Sequence, residues 1–343
     1  MMHSSTPGPL PEQWRFFYPA PGPLSAEKNL PGGGFCAFAR HKSKKKRGNI
    51  GMEKAKGSAL VILSAVIFGF TPILAKITFS EGSNSAMLTC LRAAMALPVL
   101  LGILLFKRIS LKITGRELGK ILILSSVGGT ATTVLLYTAY NFISVGMSTT
   151  LHFVYPTFVL LICVIVFREP LNPRKITALA LSTGGILCFF DGGLSANIAG
   201  IAIALVSGLT YAFYMVYMDK SGLKDMHPMK LSFYNSIFVG LFSLIYGYFT
   251  HQVSFGLSAK AWVYTFVIAV LVSAGASVFL QMGIKFCGAT TAAILSMFEP
   301  ITSVVLGILI LKEDFSWFKL LGCVLILAAV FILTPRKSVM AEE

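Results

Sequence analysis

The sequence predicts an all-α integral membrane protein of about ten transmembrane helices, laid out as two inverted five-helix repeats. Three observations predict it. Of 343 residues, 55% are hydrophobic and 13% charged, with a mean hydropathy of +0.76; soluble domains carry about 25% charged residues. A soluble fold would have to bury more apolar surface than its geometry allows, whereas lipid solvates apolar side chains directly. Apolar runs of spanning length recur from residue 57 to the end. Finally, the second half of the chain repeats the first at a nearly constant spacing.

Residues 1–51 differ from the rest. They are rich in Pro and Gly up to Gly34, then strongly basic from Arg40 to Arg47. No secretory pattern fits, because the charges follow the weakly apolar part. This segment is expected to be disordered and cytoplasmic, and Met52 is a candidate initiator. The first repeat, 55–191, holds spans at 57–79, 85–106, 118–139, 145–167 and 175–190. The second, 197–335, holds spans at 198–218, 229–249, 262–282, 289–311 and 317–334.

Charge sets the orientation and excludes one class of partner. The net charge is +15, concentrated in the 40–47 tract and in short loops. That placement suits anionic lipid headgroups rather than nucleic acid. With the N-terminus inside, the inner loops hold Lys107, Arg108, Lys112, Arg116, Lys120, Arg168, Arg174, Lys175, Lys220, Lys224 and Lys230, while the outer loops hold only Lys260, Lys312 and Lys319. Both termini are therefore expected in the cytoplasm of a multi-pass cell-membrane protein.

The repeat is visible residue by residue. Pro156 and Pro300, Glu169 and Glu313, and Leu151 and Leu295 are all 144 apart, while Ser64 and Ser207, Phe70 and Phe213, and Arg92 and Asn235 are 143 apart. An odd number of spans per repeat sends the second copy into the membrane from the opposite side. Inverted repeats are a common plan for alternating access, with the solute site near the midplane between the copies.

The stretches Leu151–Arg174 and Leu295–Gly322 each carry a helix proline, an apolar run, a Glu at the helix end and a following apolar helix. As a pair they resemble EamA-type repeats of the drug/metabolite transporter superfamily, over about residues 55–335. The resemblance implies ten helices, cytoplasmic ends and transport of a small metabolite driven by a gradient or by exchange. It leaves the cargo unnamed.

Polar stripes at paired positions mark candidate cavity walls. Ser148, His152 and Tyr155 share a helix face, and their mates are Ala292, Ser296 and Glu299. Thr130, Thr133, Tyr137 and Asn141 are matched by Ala274, Ser277, Gln281 and Lys285. Ser64, Phe68 and Thr71 are matched by Ser207, Tyr211 and Tyr214. Small polar residues also glue membrane helices together, so the stripes alone leave both roles open. Glu299 stands apart, because a carboxylate within a span is expensive and marks a functional site by default. It is a candidate proton carrier or ligand for a cationic group. His152 has a side chain suited to proton coupling. Arg92, with Asn235 at its repeat position, is placed either to hold an anionic solute or to reach the outer interface. Pro156 and Pro300 form a symmetric pair of helix kinks. Glu169 and Glu313 precede helix starts at Asn172–Pro173 and Ser316, where an acid complements the positive helix end.

No GxxxxGK[ST] loop, HExxH, GxSxG or metal-ligand spacing occurs, and the six cysteines are scattered singly. Neither cofactor nor metal nor catalytic residues are therefore expected. The partners expected are a small solute, protons and the bilayer, with a second copy of the chain as a further candidate. The leading expectation is a secondary transporter working by alternating access. An obligate exchanger of anionic metabolites is the alternative within transport. A membrane receptor, sensor or intramembrane enzyme is the alternative outside it.

Overall fold

The computed structural model describes residues 35–143, 145–188, 197–311 and 317–333. The chain divides into two units, residues 1–49 and 50–343, and the description below concerns the second apart from the opening turns of the first helix. That helix, α1 (Phe35–Phe68), begins inside the stretch expected to be disordered. From Phe35 the tract is rich in Ala, Lys and Arg, which are good helix formers. Residues 1–34 lie outside the described residues.

The remaining helices follow the apolar runs closely, and their starts have local causes. Asn84 caps α3 (Ser85–Phe106) by accepting from the Met87 N–H. Thr114 and Glu117 form a reciprocal capping box at α4 (Gly115–Ile123). Asn172 caps α8 (Pro173–Leu187), with Pro173 at its first position, as the sequence indicates. Asn197 and Ser258 do the same for α9 (Ile198–Lys220) and α11 (Ala259–Ile268). α10 (Pro228–Phe249) again opens on a proline.

Several expected single spans are broken or bent. The first breaks at Gly69–Phe70 ahead of Pro72, giving α2 (Thr71–Ser80). The fourth breaks at Phe153–Val154 ahead of Pro156, separating α6 (Val145–His152) from α7 (Tyr155–Ile165). The ninth breaks at Met297 ahead of Pro300, separating α13 (Ala289–Ser296) from α14 (Phe298–Leu311). Each proline lacks the N–H that would satisfy the carbonyl four residues earlier. The third and eighth spans stay continuous but each contains a π-helical stretch, Leu124–Ala131 between α4 and α5 (Thr132–Ala139), and Ala269–Ala276 between α11 and α12 (Ser277–Cys287).

Among the described residues, seven helical segments are long and apolar enough to cross a membrane. The ten expected are not all among them: α8 has 15 residues, α15 (Trp317–Leu333) has 17, and the α13–α14 stretch is not one of the seven. At 1.5 Å per residue, a helix as short as α8 reaches only about 22 Å against a hydrocarbon core of about 30 Å. Packing pairs helices across the two halves: α3 lies along α10, α8 along α15, α5 against α9 and α2 against α11. The exposed apolar side chains, among them Phe106, Leu187, Ile198, Leu309 and Phe331, belong to these helices and face outward, as a lipid-solvated body requires.

Candidate functional site

A cavity of about 160 Å³ lies inside the helical body. Both halves line it. The first contributes Phe68, Thr71 and Pro72 at the α1–α2 break, Arg92 of α3, Gly128 and Gly129 of the π stretch, Thr133, Tyr137 and Tyr140, and His152. The second contributes Tyr211 and Tyr214 of α9, Ser232, Asn235 and Ser236 of α10, Ser273 and Ser277, and Glu299.

Arg92 and Glu299 both sit on these walls, and neither has an ion pair among the described residues. Arg92 donates from Nη2 to Thr133 Oγ1 at 3.1 Å, and its Nε is buried with no partner. Helix packing therefore keeps Arg92 at the cavity rather than at the outer interface. Glu299, in the first turn of α14, has neither a hydrogen bond nor an ion pair to a described residue. The Nδ1 of His152 is 2.9 Å from Ser207 Oγ, and that hydroxyl spends its proton on the Ala204 carbonyl at 2.6 Å. Ser207 then accepts from Nδ1–H, and in the neutral imidazole Nε2 is the acceptor.

Aromatic rings make up much of the surface. Tyr211 stacks on Tyr214 with centroids 6.0 Å apart and planes 10° apart, and His152 lies 5.4 Å from Tyr211. Tyr137 makes an edge contact with Phe79 at 5.5 Å. The π stretch explains how Tyr214 comes so close: a Cβ on Gly128 would lie 2.7 Å from Tyr214 Cβ, so only glycine admits this approach. Gly208 plays the same part at the helix break, where an added Cβ would lie 2.8 Å from the His152 carbonyl. Pro156 denies that carbonyl its usual helical donor.

Four expected cavity residues lie elsewhere. Tyr155 is fully buried behind the wall, with its hydroxyl on the Ala293 carbonyl at 3.4 Å and its ring edge-on to Tyr211 at 4.7 Å. The break at Phe153–Val154 takes it off the helical face it would have shared with His152. Ser296 is buried beside the Tyr155 hydroxyl, not on the cavity. Gln281 is buried one layer back, donating to the Tyr214 hydroxyl at 3.3 Å and accepting from Ser232 at 3.2 Å, so it positions two wall residues. Asn141 is exposed, because α5 ends at Ala139 and the chain turns before reaching it. Tyr137, Tyr211, Tyr214, Arg92, Asn235, His152 and Glu299 all line the cavity. Asn235 is held by Ser125, which donates to its Oδ1 at 2.9 Å. Pro156 and Pro300 are both buried in the first turns of the helices that follow the breaks. Gly128, Gly129, Tyr140 and the serines of α10 line the cavity without belonging to the paired polar stripes, although the Gly–Gly pair inside an apolar span is a visible signal in the sequence.

A second polar cluster lies where the end of α9 meets the start of α13. Lys220 at the end of α9 pairs with Glu169 and lies 3.6 Å from Asp219 Oδ2; Lys224 lies 2.8 Å from Asp219 Oδ1. Asp219 Oδ2 also accepts from the Ala289 N–H at 3.4 Å, at the start of α13. Glu169 was expected to complement the start of α8. Instead Arg168, with φ of 51°, turns the chain left-handed after α7 and delivers Glu169 to α9. Glu313 and Ser316 lie outside the described residues.

Comparison with known proteins gives a consistent picture. The model of the EamA-like transporter family matches residues 55–190 and again 198–334. A Synechocystis protein named an uncharacterized transporter is 26% identical over 60% of this chain, which spans 63% of that protein's length. An uncharacterized transporter of Archaeoglobus fulgidus is 26% identical over 80% of this chain and 95% of its own. An uncharacterized inner membrane transporter of Salmonella typhimurium is 24% identical over 81% of this chain and 95% of its own. A solved crystal structure superposes with a TM-score of 0.69 at 13% identity, over 81% of this chain and 96% of that one, which is a likeness of fold.

Proposed function

The chain belongs to the EamA-like transporter family, and on that premise we propose that it is a secondary transporter moving a small metabolite by alternating access, through ten spans arranged as two inverted repeats. The observation that carries the reading is a cavity inside an apolar body, lined by helices of both halves and carrying polar and aromatic side chains together with Arg92 and Glu299. Matched packing supports the inverted arrangement. Gly57 abuts Phe286 and Gly200 abuts Phe142, pairs related by 143 (200 − 57) and 144 (286 − 142) residues. The first π stretch packs on α10 and the second on α3, and these helices are themselves counterparts. Breaks in the first, fourth and ninth spans and π turns in the third and eighth supply places where a two-state body can bend.

In this reading the solute enters between Arg92 and Glu299, and the Asp219 cluster holds the opposite end shut. Release requires Asp219 to let go of the start of α13, since Asp219 ties α9 to the helix pair that carries Glu299. Proton coupling through Glu299 and exchange of one solute for another are both compatible with a carboxyl group that has no counter-ion among the described residues. A second reading, an obligate exchanger of anionic solutes, draws on the unpartnered Nε of Arg92.

Purified protein in liposomes tests the proposal with labelled amino acids, sugars, nucleosides, organic cations and carboxylates. Saturable uptake of at least one is expected. An imposed proton gradient stimulates it if coupling is to protons, and unlabelled internal solute stimulates it if transport is by exchange. Absence of movement under every gradient and countersubstrate refutes transport.

A further inference from the structure

Four basic side chains gather where three spanning segments end. Lys107 and Arg108 follow the last residue of α3, His227 precedes the first of α10, and Lys285 lies in the last turn of α12. α3 and α10 run antiparallel: a Cβ on Gly247 would stand 3.2 Å from Ala86 and one on Gly240 3.5 Å from Ala93, a register that carries Lys107 alongside His227. Partial burial and the charges of Lys107 and Lys285 lower the pKa of His227, so both cations lie close to its ring. All four side chains are exposed, and none has an ion pair among the described residues. The backbone holds this arrangement. The Ile109 N–H bonds to the Leu104 carbonyl at 2.9 Å and the Arg108 N–H to the Leu105 carbonyl at 3.0 Å, closing α3 with Arg108 at φ 52°. Glycine fills such a position without strain, so a cation is kept there against the preference of the backbone. Tyr234 donates to the Leu111 carbonyl at 2.5 Å and Lys230 to the Lys112 carbonyl, which pins the following loop to α10. The repeat counterparts of Lys107, Arg108, His227 and Lys285 are Thr250, His251, Asn84 and Asn141, with no Lys or Arg among them. There Asn84 caps α3 and donates to the Gln252 carbonyl at 2.7 Å, so protein groups answer one another, whereas α10 opens at His227 with no side-chain cap.

Next to these cations the surface turns apolar. Leu105 and Phe106 are exposed, and behind them Ala94, Pro98 and Gly102 form an exposed strip along α3, with nothing within 4 Å of where a Cβ on Gly102 would stand. We propose that Lys107, Arg108 and Lys285, gathered around His227, bind the phosphate of an anionic glycerophospholipid whose acyl chain lies along this strip. A cationic cluster at the edge of an apolar surface matches a ligand that is anionic at one end and apolar at the other. Arg108 supplies a planar fork of donors and each lysine a compact point charge, the two kinds of group that answer a phosphate. The uncapped positive end of α10 adds to the attraction.

The inference needs the membrane setting but not transport, so it is tested on the purified full chain in detergent. Native mass spectrometry reads the lipid retained from an equimolar mixture of phosphatidylglycerol and phosphatidylcholine. Each surface cation near an anionic headgroup gives about a fivefold gain, so the parent is expected to prefer phosphatidylglycerol by at least about tenfold. The triple variant Lys107→Gln, Arg108→Gln, Lys285→Gln should bring that preference down to about twofold or less. A control that removes the same charge from other exposed positions, Lys112→Gln, Arg116→Gln, Arg174→Gln, should keep it. All six positions are exposed, so thermal unfolding without added lipid should be unchanged in both variants. A parent without preference overturns the proposal. Equal loss in the two triple variants does so as well, because the attraction then belongs to the diffuse charge of the loops. Thermal stabilisation by inorganic phosphate equal to that by phosphatidylglycerol assigns the cluster to a free anion and overturns the lipid.

Discussion

Replacing Asp219 by Ala tests the junction of α9 and α13. The Asp219 side chain is 8% exposed and answers three groups at once: Lys224 at 2.8 Å, Lys220 at 3.6 Å and the Ala289 N–H at 3.4 Å. Lys220 retains Glu169, and the Lys224 side chain, 35% exposed, returns to water at little cost. Exposed or half-exposed pairs of this kind contribute at most about 1 kcal/mol each. The Ala289 N–H has no such escape. It lies at the start of a buried helix, where a hydrogen bond to a charged group stabilises by about 1.5–3 kcal/mol and a negative charge by up to about 1 kcal/mol more. Asp219→Ala is therefore expected to destabilise by about 2–4 kcal/mol. Asp219→Asn keeps an acceptor for Ala289 and should lose roughly half of that. Thermal unfolding in detergent, followed by tryptophan fluorescence, reads both. An alanine variant within about 0.5 kcal/mol of the parent, the scatter of neutral surface changes, would refute the argument that Asp219 fastens α9 to α13. So would an asparagine variant no better than alanine.

The remaining predictions follow from close contacts and named partners. Gly208→Val places a branched side chain where a Cβ alone would lie 2.8 Å from the His152 carbonyl, and should cost about 1–3 kcal/mol in the same unfolding assay. Gly208→Ala should cost less, and tolerance of both would show that α9 does not meet the fourth-span break so closely. Ser125→Ala removes the donor that holds Asn235 and should raise the apparent KM for the transported solute several-fold with unfolding changed by no more than about 1.5 kcal/mol; an unchanged KM would dismiss Asn235 as a positioned wall residue. His227, at the start of α10 and outside the span, has its pKa lowered by partial burial and by the Lys107 and Lys285 charges. Its cation is disfavoured in the fold, so its contribution is complete above the ordinary value of 6.5 and is lost as pH falls below it. The stability profile of His227→Gln should accordingly be flatter than the parent's on the acid side of 6.5, and an identical profile would remove His227 from the account.

What the sequence determined by itself is local. Helix starts at Asn84, Asn172 and Ser258 are written in capping residues that act within one turn, so they could be read without any neighbour. The membrane setting follows from composition, because hydropathy adds up residue by residue. The 143–144 offset made paired positions visible, and through them Glu299, His152 and Arg92 were picked out before any contact was known. Tertiary packing decided the rest. Whether Arg92 reached the interface or the interior depended on Thr133 of another helix. Tyr155 and His152 were expected on one face, yet the break ahead of Pro156 left His152 on the cavity and moved Tyr155 behind it, since a stripe holds only while a helix stays continuous. The π stretch brings Gly128 against Tyr214, a register change no 3.6-residue periodicity encodes. Asp219 acquired its role from Ala289, 70 residues away. A sequence records which side chains are available and how each biases its own turn of backbone; which charges remain without a counter-ion is settled only when distant helices meet.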